Sequence, residues 1–285
     1  MRVDAPSSLF ELRQLLEAAV STPGQSRLLA GGTDLLVRFH ASPELSADLI
    51  DLSGIDELKG IIIRDTYLEI GACTTFSEME RHPVIRERCA ALARAASLVG
   101  SPQIRNLGTI GGNLANASPA ADSLPPLCAL DATILAENSE GEEIALPAGE
   151  LATAPGKTGL RQDQYIRAVR IPLHRNTFSY FVKTGSRKAV AISKLSLALA
   201  FRHMDAQARI FAGSLGASPV RMRAAEEALE RRDWSARNHA AFLDALSASV
   251  EENIPGRASL PFKRFAVRGL GDDLWAAVKE AISGE

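Results

Sequence analysis

Two short stretches built around paired glycines, Ala30-Gly31-Gly32-Thr33-Asp34-Leu35 and Thr109-Ile110-Gly111-Gly112-Asn113-Leu114, constrain this chain of 285 residues more than any other part of it. Each reads as apolar chain, two glycines, a small polar residue and then more apolar chain. Paired glycines let a backbone reach positive φ and bring its amides close to a ligand with no Cβ between them. Neighbouring N–H groups turned the same way, above all at a helix start, make an anion pocket. Two such pockets suit two adjacent phosphates, and the pyrophosphate of a dinucleotide is a ligand of that kind.

The better-known phosphate signatures are absent. Neither segment supplies the G-x-G-x-x-G of a Rossmann turn, and no Gly-Lys-Ser/Thr follows a suitably spaced glycine. A lone diglycine is weak evidence, because turns and helix caps use it constantly. Two alike, the second inside a long stretch of small residues, say more.

Charge excludes several classes of partner. The formal net charge of −2 and pI near 6.3 leave no basic footprint for nucleic acid or an anionic membrane. Aromatic residues at 5% are too sparse for base-stacking platforms. The opening residues MRVDAPSSLFEL carry an acid and no long apolar core, and no apolar run is long enough to cross a bilayer, so a cytoplasmic location is expected. Three widely spaced cysteines (Cys73, Cys89, Cys128) exclude a cysteine-ligated iron–sulfur cluster or structural zinc made by this chain alone; they read as buried free thiols. The histidines show no ligand spacing, so no metal site is expected.

Along the chain, Ser8-Leu-Phe-Glu11 has capping-box spacing ahead of a helical stripe of Leu9, Leu12, Leu16, Ala19 and Val20, which Thr22-Pro23-Gly24-Gln25 should stop. A strand at 27–30 feeds the first diglycine, and 34–40 reads as a helix. Strands follow at 48–52 and 60–63, the latter paired as a hairpin with 67–72. A helix is expected over 84–96. Residues 100–113 are too rich in glycine, proline and small polar side chains for a regular element, so an ordered, function-bearing loop is expected there. A helix at 124–130, entered through Asp122 and Ser123, precedes a hairpin of 132–137 with 143–146. Beyond about Pro172 the pattern becomes antiparallel (178–183, 192–201, 209–215) and ends in helices near 221–231, 235–252 and 261–282. The first part therefore reads as a mixed α/β nucleotide-binding half and the second as a smaller α+β domain, with the boundary near 173–177 and an overall class of α+β expected.

Several side chains could carry chemistry, each with a plainer alternative. Thr33 and Asp34 stand where a helix begins. They read as N-caps, or Thr33 binds phosphate while Asp34 orients the turn. Asn113 tolerates left-handed geometry and offers amide donors. Asp122 is a helix cap or an acceptor for ribose hydroxyls. Lys183 is a solvated strand end or a cation beside a phosphate or a negatively charged reduced cofactor. No nucleophile–base pair, carboxylate dyad or metal cluster emerges, so no catalytic residue is assigned. Such a chain holds a cofactor rather than hydrolysing a substrate.

At Leu28–Leu35, Ile70-Gly-Ala-Cys-Thr-Thr-Phe76, Gly100–Leu114, Ala117-Ser-Pro-Ala-Ala-Asp122 and, more loosely, Lys183-Thr-Gly-Ser-Arg187, the chain resembles the FAD-binding medium subunit of the molybdenum hydroxylases, the family of xanthine, nicotinate and carbon monoxide dehydrogenases. The resemblance implies a vanillyl-alcohol-oxidase-type FAD domain over 1–174, with subdomains of about 1–55 and 56–174. It also implies a C-terminal domain over 175–285 with a three-stranded antiparallel sheet and helices. Carried over, the FAD contacts fall on Leu28, Leu29, Ala30, Gly31, Gly32, Thr33, Asp34, Leu35, Val99, Thr109, Ile110, Gly111, Gly112, Asn113, Asp122, Ile166 and Lys183. Many relatives carry Asp-Ile-Ala past the lysine where this chain has Ala191-Ile192-Ser193.

The same resemblance implies molybdopterin and [2Fe–2S] clusters on a large and a small partner subunit, and the FAD is expected to be non-covalent, since no histidine or cysteine lies beside either glycine motif. The assembly implied is a dimer of heterotrimers. The large subunit would oxidise a purine, another N-heterocycle or an aldehyde, and electrons would leave through FAD to NAD⁺ or another acceptor. The alternative is a stand-alone flavin oxidoreductase, which needs a catalytic base that the sequence does not display.

Overall fold

The structure, a computed structural model, describes residues 2–20, 26–42, 47–187 and 190–283. The expected stop at Thr22–Gln25 lies outside the described residues, as does the Val20 side chain.

The first layer comprises β1 (Val3–Asp4), α1 (Leu9–Val20), β2 (Ser26–Leu29), α2 (Leu35–Ala41) and β3 (Asp48–Asp51), with the strands in the order β1-β3-β2 and both pairings parallel. Helix α1 buries Leu12, Leu16 and Ala19, the stripe expected from their spacing. Its capping box is displaced by one residue. Ser8 Oγ accepts the Glu11 N–H, but the Glu11 carboxylate reaches back to the N–H and hydroxyl of Ser7. Helix α2 differs from α1 in burying nothing.

The second layer is a five-stranded antiparallel sheet in the order β4-β5-β10-β6-β7: β4 (Ile61–Ile63), β5 (Tyr67–Gly71), β6 (Thr133–Asn138), β7 (Glu143–Pro147) and β10 (Gln164–Pro172). The hairpins β4–β5 and β6–β7 are local, whereas β10 returns to sit between β5 and β6. A small ribbon of β8 (Ala152–Ala154) and β9 (Lys157–Thr158), which the sequence reading did not anticipate, precedes it. Six short helices cross this layer: α3 (Phe76–Arg81), α4 (Pro83–Arg88), α5 (Ala90–Ser97), α6 (Pro102–Leu107), α7 (Ile110–Ala115) and α8 (Leu124–Ala129).

Two sequence expectations are corrected here. The single helix expected over 84–96 is two, broken where Cys89 takes a non-helical backbone (φ −133°, ψ 46°). The Ala91 N–H just beyond the break turns to the Ser179 hydroxyl, a partner 88 residues away. The stretch 100–113 is not an irregular loop but contains α6 and most of α7. Ser101 caps α6, with Pro102 in its first turn, and Thr109 caps α7 through the Gly112 N–H. Proline at a helix start and hydroxyls at N-caps favour helix, which outweighs the low propensity of the glycines.

The third layer is the antiparallel sheet β11 (Thr177–Gly185), β12 (Ser193–Arg202), β13 (Gln207–Gly213) and β14 (Val220–Arg221), covered by α9 (Arg223–Glu230), α10 (Ala236–Asn253) and α11 (Leu260–Ser283). It has a fourth strand beyond the three expected, two residues long, where Val220 and Arg221 pair with Ala212 and Phe211. Leu195, Leu197, Leu199 and Phe201 face the helices. Phe181, Ala198 and Ala200 pack with the other apolar core, among Leu92, Leu124, Leu127 and Ile171 of the second layer. One continuous core therefore crosses from the second layer into the third.

Candidate functional site

An open cleft of about 710 Å³ runs between the first and second layers. Its volume falls within the range of roughly 300–1,000 Å³ typical of sites for small molecules and cofactors. Residues 28–35 line one side, Thr109, Gly111, Gly112, Asn113, Ala115 and Asn116 another, and Gly156, Thr158, residues 160–162 and residues 164–166 a third; Val99 and Ile104 also border it. Both diglycine segments thus face one cavity.

They sit against each other. A Cβ on Gly31 would lie 1.8 Å from the Leu107 carbonyl oxygen, so this glycine permits the first loop to press on the backbone between α6 and α7. Gly32 has φ +69°, the left-handed region expected of a diglycine turn. Gly111 and Gly112 are helical instead, and the positive φ expected of the second pair is absent. A Cβ on Gly111 would meet Ala72 Cβ at 2.6 Å and Ala72 O at 2.8 Å. Here glycine lets the helix approach the end of β5.

The amides divide the same way. In the second segment the Ile110 N–H donates to Thr74 O (3.0 Å), Gly111 to Ala72 O (2.8 Å) and Asn113 to Thr109 O (3.0 Å). Gly112 N–H goes to Thr109 Oγ1 at 3.1 Å. In the first, no described residue accepts a hydrogen bond from the N–H of Gly31, Gly32, Thr33 or Asp34. These four amides are the donors left over for a ligand, at the entry to α2. Asp34 caps that helix by position only, since its side chain accepts no cap hydrogen bond. The capping reading of Asp34 is therefore corrected.

Charge in the cleft favours an anion. Arg27, Arg38 and Arg161 are among its lining residues, and Asp34 is the only carboxylate among them. Arg161 is paired with Asp163. Arg38 reaches across to Asn116 Oδ1 at 2.6 Å.

The remaining sequence-expected residues separate into two groups. Val99, Asn113 and Ile166 line the cleft. Asn113 is helical, not left-handed, and its Oδ1 accepts the Ser123 hydroxyl at 2.6 Å, leaving its –NH2 as a donor. Ile166 precedes a register shift in the β10–β6 pairing, a bulge of the type that re-aims side chains beside a site. Ile110 is wholly buried in the core.

Asp122 and Lys183 do not line the cleft; they bind each other. Lys183 Nζ lies 2.6 Å from Asp122 Oδ2, with both side chains about nine-tenths buried. The Ser193 hydroxyl donates to the other carboxylate oxygen. Neither plain alternative holds, because Asp122 makes no helix cap and Lys183 is no solvated strand end. Burial pushes the Asp122 carboxyl up from its ordinary value, and the ammonium and the hydroxyl oppose that shift. The ammonium also donates to the carbonyls of Leu98 (3.1 Å) and Ala191 (3.2 Å). The pair thus stands one residue behind Val99, and Asp122 is the chain neighbour of Ser123, whose hydroxyl donates to Asn113. The pair connects the cleft wall to the segment around Ala191.

The sequence reading missed the third wall, apart from Ile166. Tyr165 is buried at the cleft floor, its hydroxyl on Glu137, which Arg13 of α1 also grips at 2.6 Å. Burial raises the Tyr165 hydroxyl pKa well above that of a free phenol. The one local signal was the polar run Arg161-Gln-Asp-Gln164 opening a strand that otherwise reads as core. Among the described residues, no group of three or more His, Cys, Asp or Glu is placed to hold a metal ion.

Comparison with known proteins follows the same lines. Residues 1–174 match a family model described as the FAD binding domain in molybdopterin dehydrogenase. The nicotinate dehydrogenase FAD-subunit of Eubacterium barkeri is 33% identical over 288 aligned residues, 98% of this chain and 96% of its own length. A putative xanthine dehydrogenase FAD-binding subunit of Escherichia coli K12 is 31% identical over 82% of this chain and 81% of its own. Among solved structures, a chain of carbon monoxide dehydrogenase from Hydrogenophaga pseudoflava superimposes with a TM-score of 0.85 at 26% identity, covering 99% of this chain and 97% of that one.

Proposed function

This chain belongs to the family of FAD-binding domains of molybdopterin dehydrogenases, and from that premise we propose that it relays electrons from the [2Fe–2S] clusters of one partner subunit to NAD⁺ or another acceptor. As an FAD-binding oxidoreductase subunit it would work beside a molybdopterin-bearing large subunit and an iron–sulfur small subunit, in a cytoplasmic dimer of heterotrimers. The large subunit would choose the substrate, a purine, another N-heterocycle or an aldehyde. Within this reading, residues 1–174 are the flavin domain and 175–285 the C-terminal domain.

The observation that carries the reading is the set of four uncommitted amides at Gly31–Asp34, facing a cleft whose lining holds three arginines and one carboxylate. The residues fit FAD. Unpaired N–H groups at a helix entry suit a diphosphate, and apolar Val99, Ile104 and Ile166 offer surface to an aromatic ring system. Bound there, FAD supplies a two-electron carrier that accepts and releases electrons singly, and the organic chemistry is its own. The protein binds, orients and excludes water. Gly31–Asp34 hold the diphosphate. Asn113 offers its –NH2, and Thr109 keeps α7 in place. The Asp122–Lys183 pair acts at one remove, Lys183 fixing the carbonyl of Leu98, while Ser123, next to Asp122 in the chain, orients the side chain of Asn113.

Titrating the full chain with FAD, followed by flavin fluorescence and the visible spectrum, tests this. Saturation at one FAD per chain is expected, with release on denaturation as non-covalent binding requires. A folded chain that leaves FAD fluorescence and spectrum untouched would overturn the reading. For the relay, reduction of bound FAD by a co-purified iron–sulfur partner is the expected result.

A further inference from the structure

Among the cleft's cations, Arg38 is placed differently from Arg161. It follows Asp34 by four residues on α2, so it stands one turn above the free amides. Arg161 is doubly bonded to Asp163, at 3.0 Å in each contact. Arg38 spends one N–H on a neutral amide oxygen, Asn116 Oδ1, and four of its five donors have no other side-chain partner among the described residues. That bond joins the helix leaving the first diglycine to the residue that ends the helix of the second. It is exposed, and a neutral acceptor there is readily replaced by an anionic one, because charge-assisted bonds are the stronger. The arginine fork matches phosphate oxygens in pairs.

Resting on the FAD reading above, we propose that Arg38 is a further nucleotide-binding residue, whose guanidinium exchanges Asn116 for the diphosphate and makes the cleft select a dinucleotide over an unphosphorylated flavin. Because α2 buries no side chain, it can follow the guanidinium without disrupting the core. Asn116 is the resting partner that keeps the fork over the cleft.

Affinities of the full chain for FAD, ADP and riboflavin, measured for the parent and for Arg38→Ala, Arg38→Lys and Asn116→Ala, test the assignment. The expected result is about tenfold weaker FAD and ADP binding in Arg38→Ala, the effect of one exposed charge-assisted contact. Riboflavin should be unaffected, Arg38→Lys should recover part of the loss, and Asn116→Ala should bind FAD nearly as well as the parent. Parent-like FAD and ADP binding by Arg38→Ala overturns the assignment and leaves the FAD reading standing. So does an equal loss for riboflavin, or for Asn116→Ala, since either means that Arg38 only ties α2 down. A folded parent chain that holds neither FAD nor ADP overturns both.

Discussion

The two diglycine segments are nearly interchangeable as text and have different duties in space. Gly31-Gly32 opens a turn in which the four amides of Gly31–Asp34 are unclaimed among the described residues, whereas Gly111-Gly112 sits in a helix with the Ile110, Gly111 and Gly112 amides already bonded to Thr74, Ala72 and Thr109. The first pair presents donors, and the second positions the platform against which the first is pressed. What separates them is the neighbour that fills the missing side chain's place: the Leu107 carbonyl for Gly31, the end of β5 for Gly111. A repeated motif therefore identified a shared site without implying a shared task.

The largest effect that would break this comparison is expected at Gly31. A methyl group in Gly31→Ala would lie 1.8 Å from a backbone oxygen that cannot swing aside, so the first loop must lift off α6 and α7. FAD binding should be lost, with a destabilisation of about 3 kcal/mol in thermal unfolding. An unchanged FAD affinity would show that the two loops need not touch. Next is Gly111→Ala, whose contacts at 2.6 and 2.8 Å to Ala72 predict a loss of about 2 kcal/mol by overpacking.

Its signature should be chemical as well as thermal. The Cys73 thiol, next to Ala72, is pushed up to about 11 by burial, so little thiolate exists at pH 8. Alkylation there should be slow in the parent and faster in Gly111→Ala, as read by mass spectrometry. Thr109→Val, which removes only the cap on Gly112, should cost about 1 kcal/mol and leave Cys73 protected. The smallest effect is expected from Asp34→Asn. Its carboxylate makes no cap bond, so stability should move by less than about 0.5 kcal/mol while FAD binds slightly tighter. Weaker binding would mean that Asp34 serves the ligand.

Legibility in the sequence followed the range of the forces involved. The hairpins β4–β5 and β6–β7 and the three closing helices rest on local periodicity, and each was visible. That residues 28–35 and 109–113 border one cavity was legible, because two like glycine pairs, the second in a stretch of small residues, stand out where a single pair would not. That Gly31 and Gly111 lack side chains for the sake of protein neighbours was not legible, since Leu107 and Ala72 are named by the fold alone. Ser179, which accepts the Ala91 N–H just past the break at Cys89, lies 88 residues away, and the Asp122–Lys183 pair spans 61 residues. For Asp122 and Lys183 local reading offered a default and a ligand role for each side chain taken alone, and neither named the other as its partner. The helices inside 100–113 were misread because composition outweighed two capping hydroxyls.

The residues shared between the second and third layers limit what can be taken apart. A cut after residue 174 would follow the edge of the family match, yet it would strip Phe181, Ala198 and Ala200 from an apolar cluster and strand the Asp122 carboxylate without its cation. A grafted tail from another subunit would have to bring that same face and that same lysine. Exchange of parts between relatives is thus constrained along a buried seam, where no linker marks the join.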